Sequence, residues 1–132
     1  MAKQITELLT KSKAAKRAAN TLSRISTGDK NIALNQIADA LDANEQSLIK
    51  ANSDDLNVAQ KSGSSDAFLS RLSLTSEGIS YMADGVRSIA KLPDPVGEEF
   101  DKRTLPNGIK LSKRRVPLGV IGSIFEARPE VP

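Results

Sequence analysis

Val116-Pro117-Leu118-Gly119-Val120-Ile121-Gly122-Ser123-Ile124-Phe125-Glu126-Ala127-Arg128-Pro129-Glu130-Val131 is the stretch that decides the fold. An apolar run that carries two glycines and ends in Glu-Ala-Arg-Pro is how a buried strand delivers polar groups to a ligand crevice at its carboxyl end. Such a strand needs a covering helix and a parallel neighbour, and neither is available in the 132 residues. The expectation is therefore the opening part of a larger α/β enzyme.

Composition supports packed helices upstream of that run. Apolar residues make up 39% of the chain, but aromatic residues are few, with three Phe, one Tyr and no Trp. A core made of Leu, Ile, Val and Ala suits helices better than a β-sandwich. The formal charge of +3 comes from 19 basic and 16 acidic residues mixed along most of the chain, which predicts solubility rather than a polyanion partner. Cysteine and histidine are both absent, so a disulfide framework, thiolate metal sites and Ser-His or Cys-His catalysis are excluded within this chain. The first residues, Met-Ala-Lys-Gln-Ile-Thr-Glu, have no apolar targeting region, and no run approaches the roughly 20 apolar residues of a membrane span. The reading is cytoplasmic.

Apolar or small residues recur at Ile5, Leu8, Leu9, Ser12, Ala15, Ala19, Leu22 and Ile25, which predicts a first helix ending at Gly28. Thr27 or Asp29 caps a second, whose stripe runs Leu34, Ile37, Ala38, Leu41, Leu48 and Ile49, interrupted by Glu45 at a boundary or snorkelling. A shorter helix is expected from Asp54 to Lys61, capped by Asn52 or Ser53, and another segment opens at Ser64 or Ser65 and runs to Leu72. Thr75 caps a further helix with Ile79, Met82, Val86, Ile89 and Ala90 on one face, and Pro93 and Pro95 stop it. About five helices thus occupy the first ninety residues.

Past Pro95 the pattern becomes extended. Strands are predicted over 98–105 and 109–116 around Pro106-Asn107-Gly108, where Asn and Gly both tolerate positive φ. This hairpin is too polar to stand as a free ribbon, so strands from elsewhere in a full protein or from a partner subunit are expected. The cluster Lys113-Arg114-Arg115 is split across the two faces of a strand and reads as a solvated face or as ion pairs, more than as a nucleic-acid patch. Gly119 and Gly122 are not a dinucleotide fingerprint, and close approach to a helix is the favoured reading. Asp54-Asp55 and Glu98-Glu99 lack the spacing of a catalytic dyad. Arg128, a permanent five-donor cation between Ala127 and Pro129, is equally consistent with an anionic ligand and with an ion pair to Glu126 or Glu130.

At these residues the chain resembles the γ-glutamyl phosphate reductase (glutamate-5-semialdehyde dehydrogenase) family of the aldehyde dehydrogenase superfamily. The resemblance rests on Val116 to Gly122 with Ile124-Phe125-Glu126-Ala127-Arg128-Pro129, and on Ile37-Ala38-Asp39-Ala40-Leu41, Ala51-Asn52, Arg71-Leu72-Ser73-Leu74-Thr75 and Leu92-Pro93-Asp94-Pro95-Val96-Gly97 in the expected order. It implies an α/β protein, α+β within this stretch. Residues 1–97 would be the N-terminal helical part of a cofactor-binding domain and 98–116 a hairpin resembling oligomerisation strands. Residues 117–132 would be the first strand of a Rossmann-like domain and its active-site turn, truncated.

The resemblance further implies NADPH-dependent reduction of L-glutamyl 5-phosphate to the semialdehyde, with release of phosphate, as the second step of proline biosynthesis. The nucleophilic cysteine would lie outside this chain, which alone should not turn over. Ile124, Phe125, Glu126 and Ala127 would line the nicotinamide side of the NADP(H) cleft, and Arg128 would stabilise an oxyanion or the substrate phosphate. A homo-oligomer and contact with glutamate 5-kinase are implied, with no metal, nucleic-acid or membrane partner. Glu130-Val131-Pro132 departs from the Asn-Val-Thr most often expected after Arg-Pro, so no binding role attaches to Glu130. Two other classes compete: a stand-alone, non-catalytic helical interaction module, and a basic hairpin that binds RNA.

Overall fold

The structure, a computed structural model, describes residues 2–125 and Arg128, with side chains from Thr6 onward. Among the described residues the order is α1 (Ala2–Leu22), α2 (Thr27–Ala43), α3 (Glu45–Lys61), α4 (Asp66–Leu72), α5 (Ser76–Ala90), β1 (Glu99–Thr104) and β2 (Lys110–Arg114). The chain divides into two compact units, Met1–Thr27 with Pro93–Gly122 and Gly28–Leu92 with Ser123–Pro132.

The second unit holds the buried core. On α5, Ile79, Met82, Ala83, Val86 and Ala90 follow helical spacing, and Ile79 and Ala83 are fully buried, as is Ala38 of α2. Complete burial of a side chain the size of Ile79 contributes about 2 kcal/mol. The first turn of α5 is closed by Thr75, whose Oγ1 accepts from the Gly78 N–H at 3.1 Å. Ser76 Oγ donates to Glu45 Oε1, linking the start of α5 to the start of α3. Near the other end of α5, Arg87 spans to α2, with Nη2 at 2.8 Å from Asp39 and 2.7 Å from Asp42. These two carboxylates hold the guanidinium protonated well above its ordinary value.

Asn52 is the buried polar residue among the described residues of this unit, only 7% exposed, and both ends of its amide are hydrogen-bonded. Nδ2 donates to the Leu72 carbonyl and Oδ1 accepts from the Leu74 N–H, both at 2.8 Å. One side chain on α3 therefore pins the turn that joins α4 to α5. Its neighbour α4 starts at Ser65, whose Oγ accepts from the Phe68 N–H at 3.3 Å.

Several helix limits differ from the sequence expectation. The first helix ends at Leu22, and Gly28 lies inside α2. Leu8, Leu9 and Leu22 of the expected α1 stripe are exposed, with Ala15 and Ala19 half-buried. The stripe from Leu34 to Ile49 is cut at Asn44, whose side-chain Nδ2 donates to the Ala40 carbonyl at 2.7 Å and closes α2. Glu45 is accordingly a boundary residue, and Ile37 is exposed. The helix expected from Asp54 is instead the second half of α3. Asn52 sits within that helix and caps nothing, because its amide is committed across space to the α4–α5 turn.

The first unit contains α1 and an antiparallel hairpin. Asp94 ties its segment down twice, accepting from the Thr27 hydroxyl and from the Val96 N–H, each at 3.0 Å. In the hairpin, Glu99 faces Arg114 and Phe100 faces Lys113, whereas Arg103 faces Leu111. The extra residue in β1 is a bulge in which Asp101 takes φ 55°. The hairpin turn falls at Pro106-Asn107-Gly108 as expected. Gly108 has φ 84° but Asn107 does not enter positive φ; the Gly108 N–H donates to the Leu105 carbonyl, and Asn107 Oδ1 accepts from the Ile109 N–H. The three-residue Pro-Asn-Gly loop thus needs one left-handed residue, and glycine supplies it.

Asn52→Ala leaves a carbonyl and an N–H unpaired at a buried position and should destabilise the second unit by about 2 kcal/mol or more in urea titration. A loss below about 0.5 kcal/mol, the level of an ordinary surface change, would show that the clamp is dispensable. The carboxyl of Glu77 is held below the ordinary glutamate range by its own backbone N–H and then by the Thr75 hydroxyl. A depressed folded-state value stabilises above the unfolded value and is lost as pH falls through the folded one. Glu77→Gln should therefore flatten the acid limb of the stability curve below that range, and parallel wild-type and variant curves would contradict this.

Candidate functional site

The stretch expected as a buried strand is not one here. Residues 115–125 form neither helix nor strand, and Val116, Leu118, Ile121 and Ile124 are 72%, 87%, 72% and 101% exposed. The physical reason is pairing: a strand exists through its ladder, and the hairpin ladder ends where Gly97 and Glu98 meet Arg115. The glycine reading also changes. A Cβ on Gly119 or Gly122 would meet no atom within 4 Å, and Gly119 is glycine for its φ of 89° rather than for close packing.

Ile124 and Phe125, assigned to the cofactor side, are both exposed, while Glu126 and Ala127 lie outside the described residues, as do Glu130 and Pro132. Arg128 is exposed and lines an open groove of about 370 Å³ in the second unit. Its companions come from the end of α4 and the start of α5. Arg71 supplies a second cation, Ser70, Ser73, Thr75 and Tyr81 supply hydroxyls, and Leu74 and Gly78 complete the wall. Sequence reasoning singled out Arg128 and missed Arg71, which reads as an ordinary basic residue in the last turn of a short helix.

The basic cluster in β2 is largely neutralised. Lys113 pairs with Asp101 at 2.8 Å, and Arg115 pairs with Glu98 at 2.7 Å while lying 5.1 Å from the centre of the Phe100 ring. The bulge that turns Asp101 into positive φ lies in β1, and Glu98 immediately precedes that strand. Among the described residues no group of three or more His, Cys, Asp or Glu is placed to hold a metal, and no helix is long and apolar enough to cross a membrane.

No protein-family model matches the chain. Curated relatives do. The chain is 50% identical over 119 residues to a protein from Photobacterium profundum named γ-glutamyl phosphate reductase, covering 90% of this chain and 28% of that one. Over most of its length the chain is similar to part of γ-glutamyl phosphate reductase. A namesake from Chloroflexus aggregans is 48% identical over 125 residues, 95% of this chain and 30% of its own length. Crystal structures of γ-glutamyl phosphate reductase agree. That from Saccharomyces cerevisiae superimposes with a TM-score of 0.84 at 40% identity, covering 90% of this chain and 30% of its own. That from Thermotoga maritima gives 0.79 at 32%, covering 84% and 27%. The chain thus spans about 30% of the length of its reductase relatives.

The open apolar run has a direct consequence for solution behaviour. Changing Ile121 and Ile124 to Ser should leave urea stability within about 0.5 kcal/mol, since neither side chain packs, while lowering aggregation and dye binding to apolar surface. A loss of several kcal/mol would show that the run is buried after all.

Proposed function

We propose that the chain works as a segment of an NADPH-dependent γ-glutamyl phosphate reductase of the aldehyde dehydrogenase superfamily. That protein would reduce L-glutamyl 5-phosphate to L-glutamate 5-semialdehyde with release of phosphate, in the second step of proline biosynthesis. The observation that carries this reading is about 50% identity to proteins of that name across 90% of the chain. The chain holds no cysteine, so the nucleophile belongs to the rest of the polypeptide. There the thiolate would attack the acyl carbon, the bond to the phosphate oxygen would break, and a thioester would remain. The nicotinamide cofactor supplies the hydride that reduces such a thioester.

This chain's contribution is structural and electrostatic. Ile124 and Phe125 form no cradle as they stand, because both are exposed and nothing closes on Gly122. Their cofactor-side role therefore belongs to the complete protein, in which the run from Val116 would become the first strand of the cofactor domain. Residues 98–116 would serve there as oligomerisation strands between copies of the enzyme. Arg128 would stabilise the phosphate or the oxyanion as negative charge develops on the reacting carbonyl.

The test joins this chain to the remaining part of a relative and follows NADPH oxidation with glutamyl phosphate. Activity that falls roughly 100-fold in Arg128→Ala, with the melting temperature unchanged, is expected from the loss of one charge-stabilising donor. An inactive assembly that nevertheless folds, or an Arg128→Ala variant with wild-type kinetics, would overturn the respective assignment.

A further inference from the structure

We propose that the groove between the end of α4 and the start of α5 is a binding site for a phosphoryl group, held jointly by Arg71 and Arg128. The inference deepens the reductase reading by adding Arg71 to Arg128, and it rests on that reading only for which phosphate enters.

Three observations carry it. Two guanidinium-bearing residues line one concavity, yet neither has an ion-pair partner among the described residues. Several cations elsewhere are matched, Arg87 with Asp39 and Asp42, Lys113 with Asp101, and Arg115 with Glu98, whereas these two share a concavity with no acidic residue in its lining. Two like charges in one cleft repel each other, and an entering anion relieves that repulsion. Second, the hydroxyls of Ser70, Ser73 and Tyr81 line the same groove without a hydrogen-bond partner among the described residues. They are neutral donors suited to the equatorial oxygens of a phosphate, with arginine offering a bidentate fork.

Third, the wall is held in place. Asn52 fastens Leu72 and Leu74 on either side of Ser73, so the turn carrying that hydroxyl is fixed from α3. Thr75 is occupied otherwise, accepting from the Gly78 N–H and bonding Glu77, whose carboxylate is directed onto its own backbone N–H. Glu77 is not among the residues lining the groove. The volume of about 370 Å³ falls at the lower end of the roughly 300–1,000 Å³ of small-molecule sites. Its open mouth leaves room for the carbon skeleton attached to the phosphate.

Nuclear magnetic resonance titration of the whole chain with inorganic phosphate, against chloride at matched ionic strength, tests this directly. Saturable shifts are expected at the amides of residues 73–78 and at the side-chain Nε–H groups of Arg71 and Arg128. Arg71→Ala and Arg128→Ala should each weaken binding roughly tenfold, the loss of one charge-assisted contact. Arg71→Lys should recover part of it, and Lys50→Ala should change nothing. Acetyl phosphate and 2′,5′-ADP distinguish the source: tighter binding of the first assigns the groove to an acyl phosphate, and of the second to the cofactor's ribose phosphate. Shifts no larger than those with chloride, or an Arg71→Ala variant that titrates like the wild type, would overturn the proposal. Because the readout needs no turnover, its failure leaves the reductase reading standing, and an inactive assembled enzyme would leave phosphate binding standing.

Discussion

A single amide on α3 organises the second unit. Asn52 supplies one donor and one acceptor to the two backbone groups that flank Ser73, and no apolar side chain of similar size does this. The geometry is demanding, since both bonds are 2.8 Å and the residue is nearly buried, so a loosened amide would expose the turn to water or leave it unpaired. With the turn fixed, Thr75 is in position to cap α5, and α5 lays Ile79, Ala83 and Ala90 into the core. The same turn carries the wall of the groove that Arg71 and Arg128 line. Stability and the candidate site thus share one polar contact.

The first unit is organised by the opposite condition, a lack of partners. Its two-stranded hairpin is exposed along every residue of both strands, and cross-strand ion pairs take the place of a packed face. Past Arg115 the ladder ends and the most apolar run of the chain is left facing solvent. A β-branched, glycine-containing run of this kind gains little from water and much from a parallel neighbour.

The helices were legible where local chemistry decides them. Thr75 and Ser65 cap the helices their side chains announce, and the stripe from Ile79 to Ala90 faces the core except at Ile89, which is exposed. What the sequence concealed was long-range. Asn52 is as good a helix cap as a buried clamp by its residue type, and only the location of Leu72 and Leu74 decides between them. Asn44 cuts a continuous apolar stripe by turning its amide back to Ala40. Arg128 stood out because it follows an apolar run. Arg71 did not stand out, because only the groove it lines together with Arg128 sets it apart from other basic residues at helix ends. The strand from Val116 is the instructive case: the pattern names a tendency, and hydrogen-bond partners decide whether it is realised.

Hydrogen exchange at the amides of residues 116–125 tests the central claim most directly, measured in this chain alone and again after joining it to the remaining part of a reductase relative. The account predicts rapid exchange in the chain alone and strong protection in the joined protein, where the run is paired between neighbouring strands. Equal exchange in both, whether fast or slow, would contradict it.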